Sequence, residues 1–243
     1  MPLHLKVREV RRIEDVKASR TFTDLPDDQN MEKRVTPDAL LHPADILTII
    51  PDVAETQDKA DELSRPTNIY TDGSKLESGD TGCAFVVFHP SGCQESVKHR
   101  LDWTCTVFQA ELFALDAAVT WTSRHASTDV TIFTDSQSSS AIQDRSNTHP
   151  LVVSIHHRLH QMSGRRDVRF VWVRAHIGII GNEEADVAAK DAASSGDAPL
   201  YDSFPLSYAN TSSGQSRWTP GNRNTRPRPP DPQQDHSSLP SHP

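Results

Sequence analysis

Four acidic residues each sit in a short context that would bring a carboxylate to the end of a structural element. Asp72 lies in IYTDGS, Glu111 in FQAELFAL and Asp135 in IFTDSQS. Asp186 closes WVRAHIGIIGNEEAD, which also carries His176. Carboxylates brought together this way make a poor core, because two of them about 4 Å apart repel by roughly 4 kcal/mol at an effective dielectric of 20. Divalent cations reverse that sign. Mg²⁺ takes hard oxygen ligands and retains positions for water and phosphate oxygens. Two such ions, about 3.5–4 Å apart, can stabilise both the attacking and the leaving oxygen of an in-line displacement. The set therefore points to metal-dependent cleavage of a phosphodiester. His176, in a loop with Gly178 and Gly181, adds an imidazole of the kind that carries protons near neutral pH.

Taken singly, each residue has an ordinary reading. Asp72-Gly73 is a turn dipeptide, and Glu111 a solvated helix residue. Asp135 before serines is an N-cap, Asp186 a partner for a helix dipole, and His176 a surface histidine. Their joint occurrence, in this order and each near the end of an element, favours the site.

The elements follow from periodicity. Ile69–Thr71 reads as a strand, Cys83–Phe88 as a second and Glu95–Leu101 as a weaker third, with Gly79, Gly82, Pro90 and Gly92 at the turns. Thr106-x-x-Gln109 is a capping-box start, after which Phe108, Leu112, Leu115, Val119 and Thr122 recur on one helical face. Val130–Phe133 is a fourth strand, followed by a short helix over Ser136–Asp144. Pro150 opens a longer helix that stops at Gly164. Val168–Val173 is a fifth strand, and a last helix starts at Asn182, with Glu183 and Glu184 in its first turn. A meander followed by strand–helix units predicts an α/β fold, a mixed sheet flanked by helices. If strands one and four are parallel neighbours, Asp72 and Asp135 lie side by side at their carboxyl ends.

Three regions differ in composition among the 243 residues. Residues 1–65 form a charged extension, expected to be partly disordered, with one apolar patch, Ala39–Ile50, that predicts a helix. Residues 66–194 form the folded domain, with 11 Lys/Arg against 15 Asp/Glu. Residues 195–243 hold 9 of the 17 prolines and are expected to be mostly disordered, with YDSFPLSY (201–208) as a segment able to dock. A net charge of −8 argues against a generic basic nucleic-acid binder but not against a carboxylate metal site. Cys83, Cys93 and Cys105 lack metal-ligand spacing and read as free thiols. No apolar run approaches the ~20 residues of a membrane span, and no secretory signal is seen at the N-terminus. The reading is of an intracellular protein, nuclear or cytoplasmic, and a monomer.

The series TDGS, AEL, TDS and H-x-G-x-x-GNEEAD resembles the type-I ribonuclease H domain. FQAELFAL and WVRAHIGIIGNEEAD are most similar to the domain that follows the reverse transcriptase in non-LTR retrotransposon polyproteins. The resemblance covers about residues 67–194. It implies a ribonuclease H-like fold with a five-stranded mixed sheet in order 3-2-1-4-5, strand two antiparallel to its neighbours. It implies endonucleolytic hydrolysis of the RNA strand of RNA–DNA hybrids, with two Mg²⁺ ions or, alternatively, Mn²⁺. Carried over by motif, Asp72, Glu111, Asp135 and Asp186 would be the metal ligands and His176 the catalytic loop histidine. Gly73 and Ser74 would lie near the substrate backbone, with Gln109 and Arg174 as further substrate contacts.

Two departures stand out. The family's polar amides just before the helix glutamate are replaced by Val107 and Phe108, and Ile142–Pro150 is too short for a basic protrusion, with Arg145 its one basic residue. Both predict weak grip by the isolated domain, with a reverse transcriptase as the natural partner and a polyprotein fragment as the origin. Arg165, Arg166, Arg169 and Arg174 are the candidates for phosphate contact. The alternatives are an inactive nucleic-acid-binding relic of the same fold, a related nuclease acting on DNA, and an interaction protein that uses its proline-rich tail.

Overall fold

The computed structural model describes residues 31–35, 52–126 and 129–205. The helix expected over Ala39–Ile50 and the tail beyond residue 205 lie outside them. The described elements are β1 (Asp52–Ala54), α1 (Gln57–Leu63), β2 (Thr67–Lys75), β3 (Thr81–Phe88), β4 (Gln94–Leu101), α2 (Val107–His125), β5 (Val130–Thr134), α3 (Ser139–Gln143), α4 (Pro150–Met162), β6 (Val168–Val173) and α5 (Ile180–Ser194).

The sheet runs β1-β6-β5-β2-β3-β4. From β2 onward this is the expected five-stranded mixed sheet in order 3-2-1-4-5, with β3 antiparallel to both neighbours and β5 and β6 parallel. The short β1 adds a sixth strand, parallel to β6, from the region read as an extension.

Side-chain alternation along the central strand divides the core in two. Ile69 faces a cluster with Leu115, Val119, Ile155 and Leu159 from α2 and α4. Tyr70 faces the other, with Phe133, Val171 and the alanines of α5. Burial on both faces explains why β2 and β5 carry so few exposed positions.

The helices start where local chemistry directs. Thr106 and Gln109 close both halves of the capping box on α2, and Pro150 occupies the first turn of α4 behind a His149 N-cap. One expectation for α2 fails. Phe108 is 45% exposed, as is Val107, while Leu112, Leu115, Val119 and Thr122 are buried. The helix has only just begun at Phe108, before its inward face meets the sheet.

Helix α5 lies close on its face because its contact residues are small. A Cβ at Gly181 would sit 2.3 Å from the Tyr70 ring, and that ring stacks on Phe133 with centroids 4.5 Å apart. This approach brings the start of α5 to the carboxyl end of β2 and β5, where the acids are.

Candidate active site

Asp72 follows Thr71, which pairs in register with Thr134 of β5, so Asp72 and Asp135 emerge side by side from adjacent parallel strands. Glu111 enters from α2. Its place is set by a backbone-to-backbone approach, since a Cβ on Gly73 would lie 2.4 Å from the Glu111 nitrogen. Carboxylate oxygens of Asp72, Glu111 and Asp135 all lie within 4.8 Å of one another. Asp72 and Glu111 are 7% and 8% exposed.

Such a cluster holds protons tightly. Burial, then the charges of Asp135 and Asp186, push Asp72 up to about 7, against weaker help from the Gly73 N–H and Lys190. Burial, then Asp72 and Asp135, raise Glu111 well above the ordinary carboxylate range, opposed by the Gly73 N–H and the Ser136 hydroxyl. One Glu111 oxygen, Oε2, is buried with no hydrogen-bond partner. A buried carboxylate oxygen left bare is costly, and a cation between these three residues would satisfy it. The donors are all hard oxygens, which fits Mg²⁺ or Mn²⁺.

Asp186 stands slightly apart. Its carboxylate groups within 4.8 Å with His176 and Glu183, and Lys190 one turn on holds it at 2.7 Å. Its charge is nevertheless felt at Asp72, which links the two groups. Asp186 thus falls in a second group that adjoins the first. Glu183 was read only as a dipole partner; its i, i+3 spacing to Asp186 is the signal that places both on one helical face. His176 is exposed and has a positive φ of 56°. Asn182 went unforeseen: it is 2% exposed and donates to Asp135 Oδ2 at 3.0 Å. Trp172 Nε1 donates to the Asp135 carbonyl at 3.1 Å.

The substrate-contact expectations divide. Ser74 is half-buried at the end of β2, and Arg174 is exposed just past β6. Gly73 turns its open side to α2 and serves packing there. Gln109 is 1% exposed and committed internally to Thr106, Glu32 and Ser203, so it has no group left for a substrate. Arg166 is likewise engaged, donating to the Thr122 and Ser123 carbonyls at the end of α2.

The pH dependence of stability follows with a definite sign. Folded Asp72 keeps its proton to higher pH than the unfolded chain does. Its contribution is full below about pH 4 and is lost as pH rises through about 7. Metal-free protein in EDTA is expected to melt at a lower temperature at pH 8 than at pH 5, and saturating Mg²⁺ or Mn²⁺ to close the gap. Equal melting temperatures across that range in EDTA would refute the crowded-carboxylate picture.

A family model described as RNase H matches residues 64–194, more than half of the chain. No curated protein matches it.

Proposed function

The chain belongs to the ribonuclease H family, and from that premise we propose that it is a metal-dependent endonuclease that hydrolyses the RNA strand of RNA–DNA hybrids by a two-metal mechanism. The observation that carries the reading is the convergence of Asp72, Glu111 and Asp135 around a buried, unpartnered carboxylate oxygen. Asp72, Glu111, Asp135 and Asp186 would hold the ions, with Glu183 beside Asp186. The ions would supply stabilisation of charge on the phosphate and on the attacking and leaving oxygens.

The chain's own residues do the rest. Asn182 orients Asp135, Ser136 and the Gly73 N–H orient Glu111, and Lys190 holds Asp186. His176, exposed beside Asp186 and Glu183, would hand on a proton as the P–O bond breaks and the RNA's leaving oxygen departs. Arg174 and Ser74 are the proposed contacts to the substrate backbone. Recognition of a hybrid rests on 2′-hydroxyls of one strand and on phosphate and sugar contacts, so cleavage is expected to be largely independent of sequence and weakened by salt.

We further read the domain as derived from a non-LTR retrotransposon polyprotein, with grip supplied by its reverse transcriptase. The exposed apolar pair Val107 and Phe108 and the short turn after α3 support this. Among the described residues, no helix is long and apolar enough to cross a membrane.

The test is cleavage of a labelled hybrid by the full chain with Mg²⁺, Mn²⁺ or EDTA, beside duplex RNA and duplex DNA. Metal-dependent loss of only the hybrid's RNA strand is expected. Cutting of duplex DNA would assign a different nuclease, and silence from folded, metal-binding protein would favour the inactive relic. His176→Ala is expected to slow turnover by on the order of 10²-fold with some activity left. An unchanged rate would make the histidine a bystander.

A further inference from the structure

Two stretches outside the family match, residues 31–35 and 200–204, meet on the first turn of α2. Met31 bridges to Phe204 and Leu101 to Tyr201. The Glu32 N–H donates to the Phe204 carbonyl at 2.9 Å, and the Asp102 N–H to the Tyr201 carbonyl at 2.8 Å. Phe204 is 3% exposed, and Tyr201 packs against the domain clusters that hold Leu101, Ala110 and Leu112.

At its centre lies the Glu32 carboxylate, whose side chain is 9% exposed. Its Oε1 accepts from the Tyr201 hydroxyl at 2.6 Å, from His149 Nε2 at 3.0 Å and from Gln109 Nε2 at 3.2 Å. Burial pushes the Glu32 carboxyl up, but the bonds from His149 and Tyr201 more than offset it and hold the group below the ordinary range. His149 Nδ1 accepts from the Leu151 N–H as the N-cap of α4, which leaves Nε2 to carry the hydrogen toward Glu32. Gln109 Nε2 also donates to the Ser203 carbonyl at 2.9 Å, while its Oε1 accepts from the Thr106 N–H at 2.9 Å. One carboxylate thus ties both flanks to the starts of α2 and α4.

Glu111 is two residues past Gln109, on a helix whose backbone there presses on Gly73. We infer that Glu32 is a positioning residue: together with Tyr201, His149 and Gln109 it fixes the first turn of α2 and so the place of the Glu111 carboxylate opposite Asp72. The inference rests on the reading of the carboxylate cluster as a metal site. Without Glu32, the buried Gln109 and His149 and the half-buried Tyr201 each lose an acceptor, and the readiest relief is to swing the first turn of α2 toward solvent. The body of α2 stays held by Leu112, Leu115 and Val119. The consequence therefore falls on Glu111 more than on the fold.

The test uses the full chain with Glu32→Ala, Glu32→Gln, which keeps an oxygen acceptor, and Tyr201→Phe, which removes one donor. Mn²⁺ binding without substrate, kcat and KM on a hybrid, and the carboxyl ¹³C resonance of Glu111 in metal-free protein are measured. Glu32→Ala is expected to weaken Mn²⁺ binding and lower kcat by about tenfold, with KM within about twofold, the usual scale for a residue that orients a ligand. Glu32→Gln should recover most of that, and Tyr201→Phe should fall between. A Glu32→Ala protein that binds Mn²⁺ and turns over as the wild type does would overturn the inference, even with a lower melting temperature. If Glu32→Ala does not fold, Tyr201→Phe decides by the same readouts. Should the wild type neither bind metal nor cleave hybrid, the Glu111 resonance still decides: a shift on substitution supports positioning, and an unmoved resonance rejects it.

Discussion

Asp135→Asn is expected to abolish hybrid cleavage while leaving the fold intact. The substitution removes a ligand charge from the centre of the cluster and keeps the side chain's shape, including an oxygen that can still accept from Asn182 Nδ2. Loss of several kcal/mol of charge stabilisation, at about 1.4 kcal/mol per factor of ten, predicts a drop on the order of 10³-fold or more. Metal-free stability should move the other way. Asp135 is the largest charge acting on Asp72, so removing it relieves repulsion and should raise the melting temperature in EDTA. Single-turnover cleavage and thermal unfolding of the same sample check both halves. A variant that cuts at the wild-type rate would remove Asp135 from the site; one that loses activity because it unfolds would leave its role as a ligand unsupported.

Gly73→Ala should be among the most damaging small changes in the domain, beside Gly82, where a Cβ would meet the Ala193 nitrogen at 2.3 Å. The added Cβ would meet the Glu111 nitrogen at 2.4 Å, the Ala110 carbonyl carbon at 2.6 Å and the Glu111 Cα at 2.9 Å. All three are backbone atoms, so no side chain can turn aside, and relief requires β2 and α2 to part. Overpacking of this kind typically costs 1–3 kcal/mol and occasionally more; with backbone on both sides we expect about 3 kcal/mol or more. Cleavage should fail as well, since the movement carries Glu111 away from Asp72. Denaturant unfolding and hybrid cleavage test this, with Ser74→Ala as a neighbour expected to change stability by less than about 1 kcal/mol. Wild-type stability for Gly73→Ala would contradict the close contact of strand and helix. The same contact gives Gly73 a packing role that TDGS alone does not reveal.

Much of the arrangement is readable without coordinates because it depends on neighbours in the chain. The apolar, β-branched and aromatic runs CAFVVF and VRFVWV mark strands, and Thr106-x-x-Gln109 marks the start of α2; both capping bonds form. The expected pairing of Asp72 with Asp135 follows from parallel strands ending together, and the register agrees. Helical periodicity misplaced Phe108, because a pattern cannot say where along a helix the sheet begins to cover it. Arg166 looked like a phosphate contact because its charge is visible in sequence and its partners, two carbonyls at the far end of α2, are not.

By itself the sequence determined the order of the elements from β2 onward, though not β1 and α1, and the strand ends that carry Asp72 and Asp135, since periodicity, capping and turn chemistry act over a few residues. Tertiary structure decided what depends on residues remote in the chain. It set Asp186 apart with His176 and Glu183, and turned Gly73 onto α2. It withdrew Gln109 from the surface by joining it to Glu32, whose carboxylate meets a tyrosine 169 positions away. A contact of that span leaves no local pattern, because its energy comes from burial and acceptor sharing that exist only once the chain has folded.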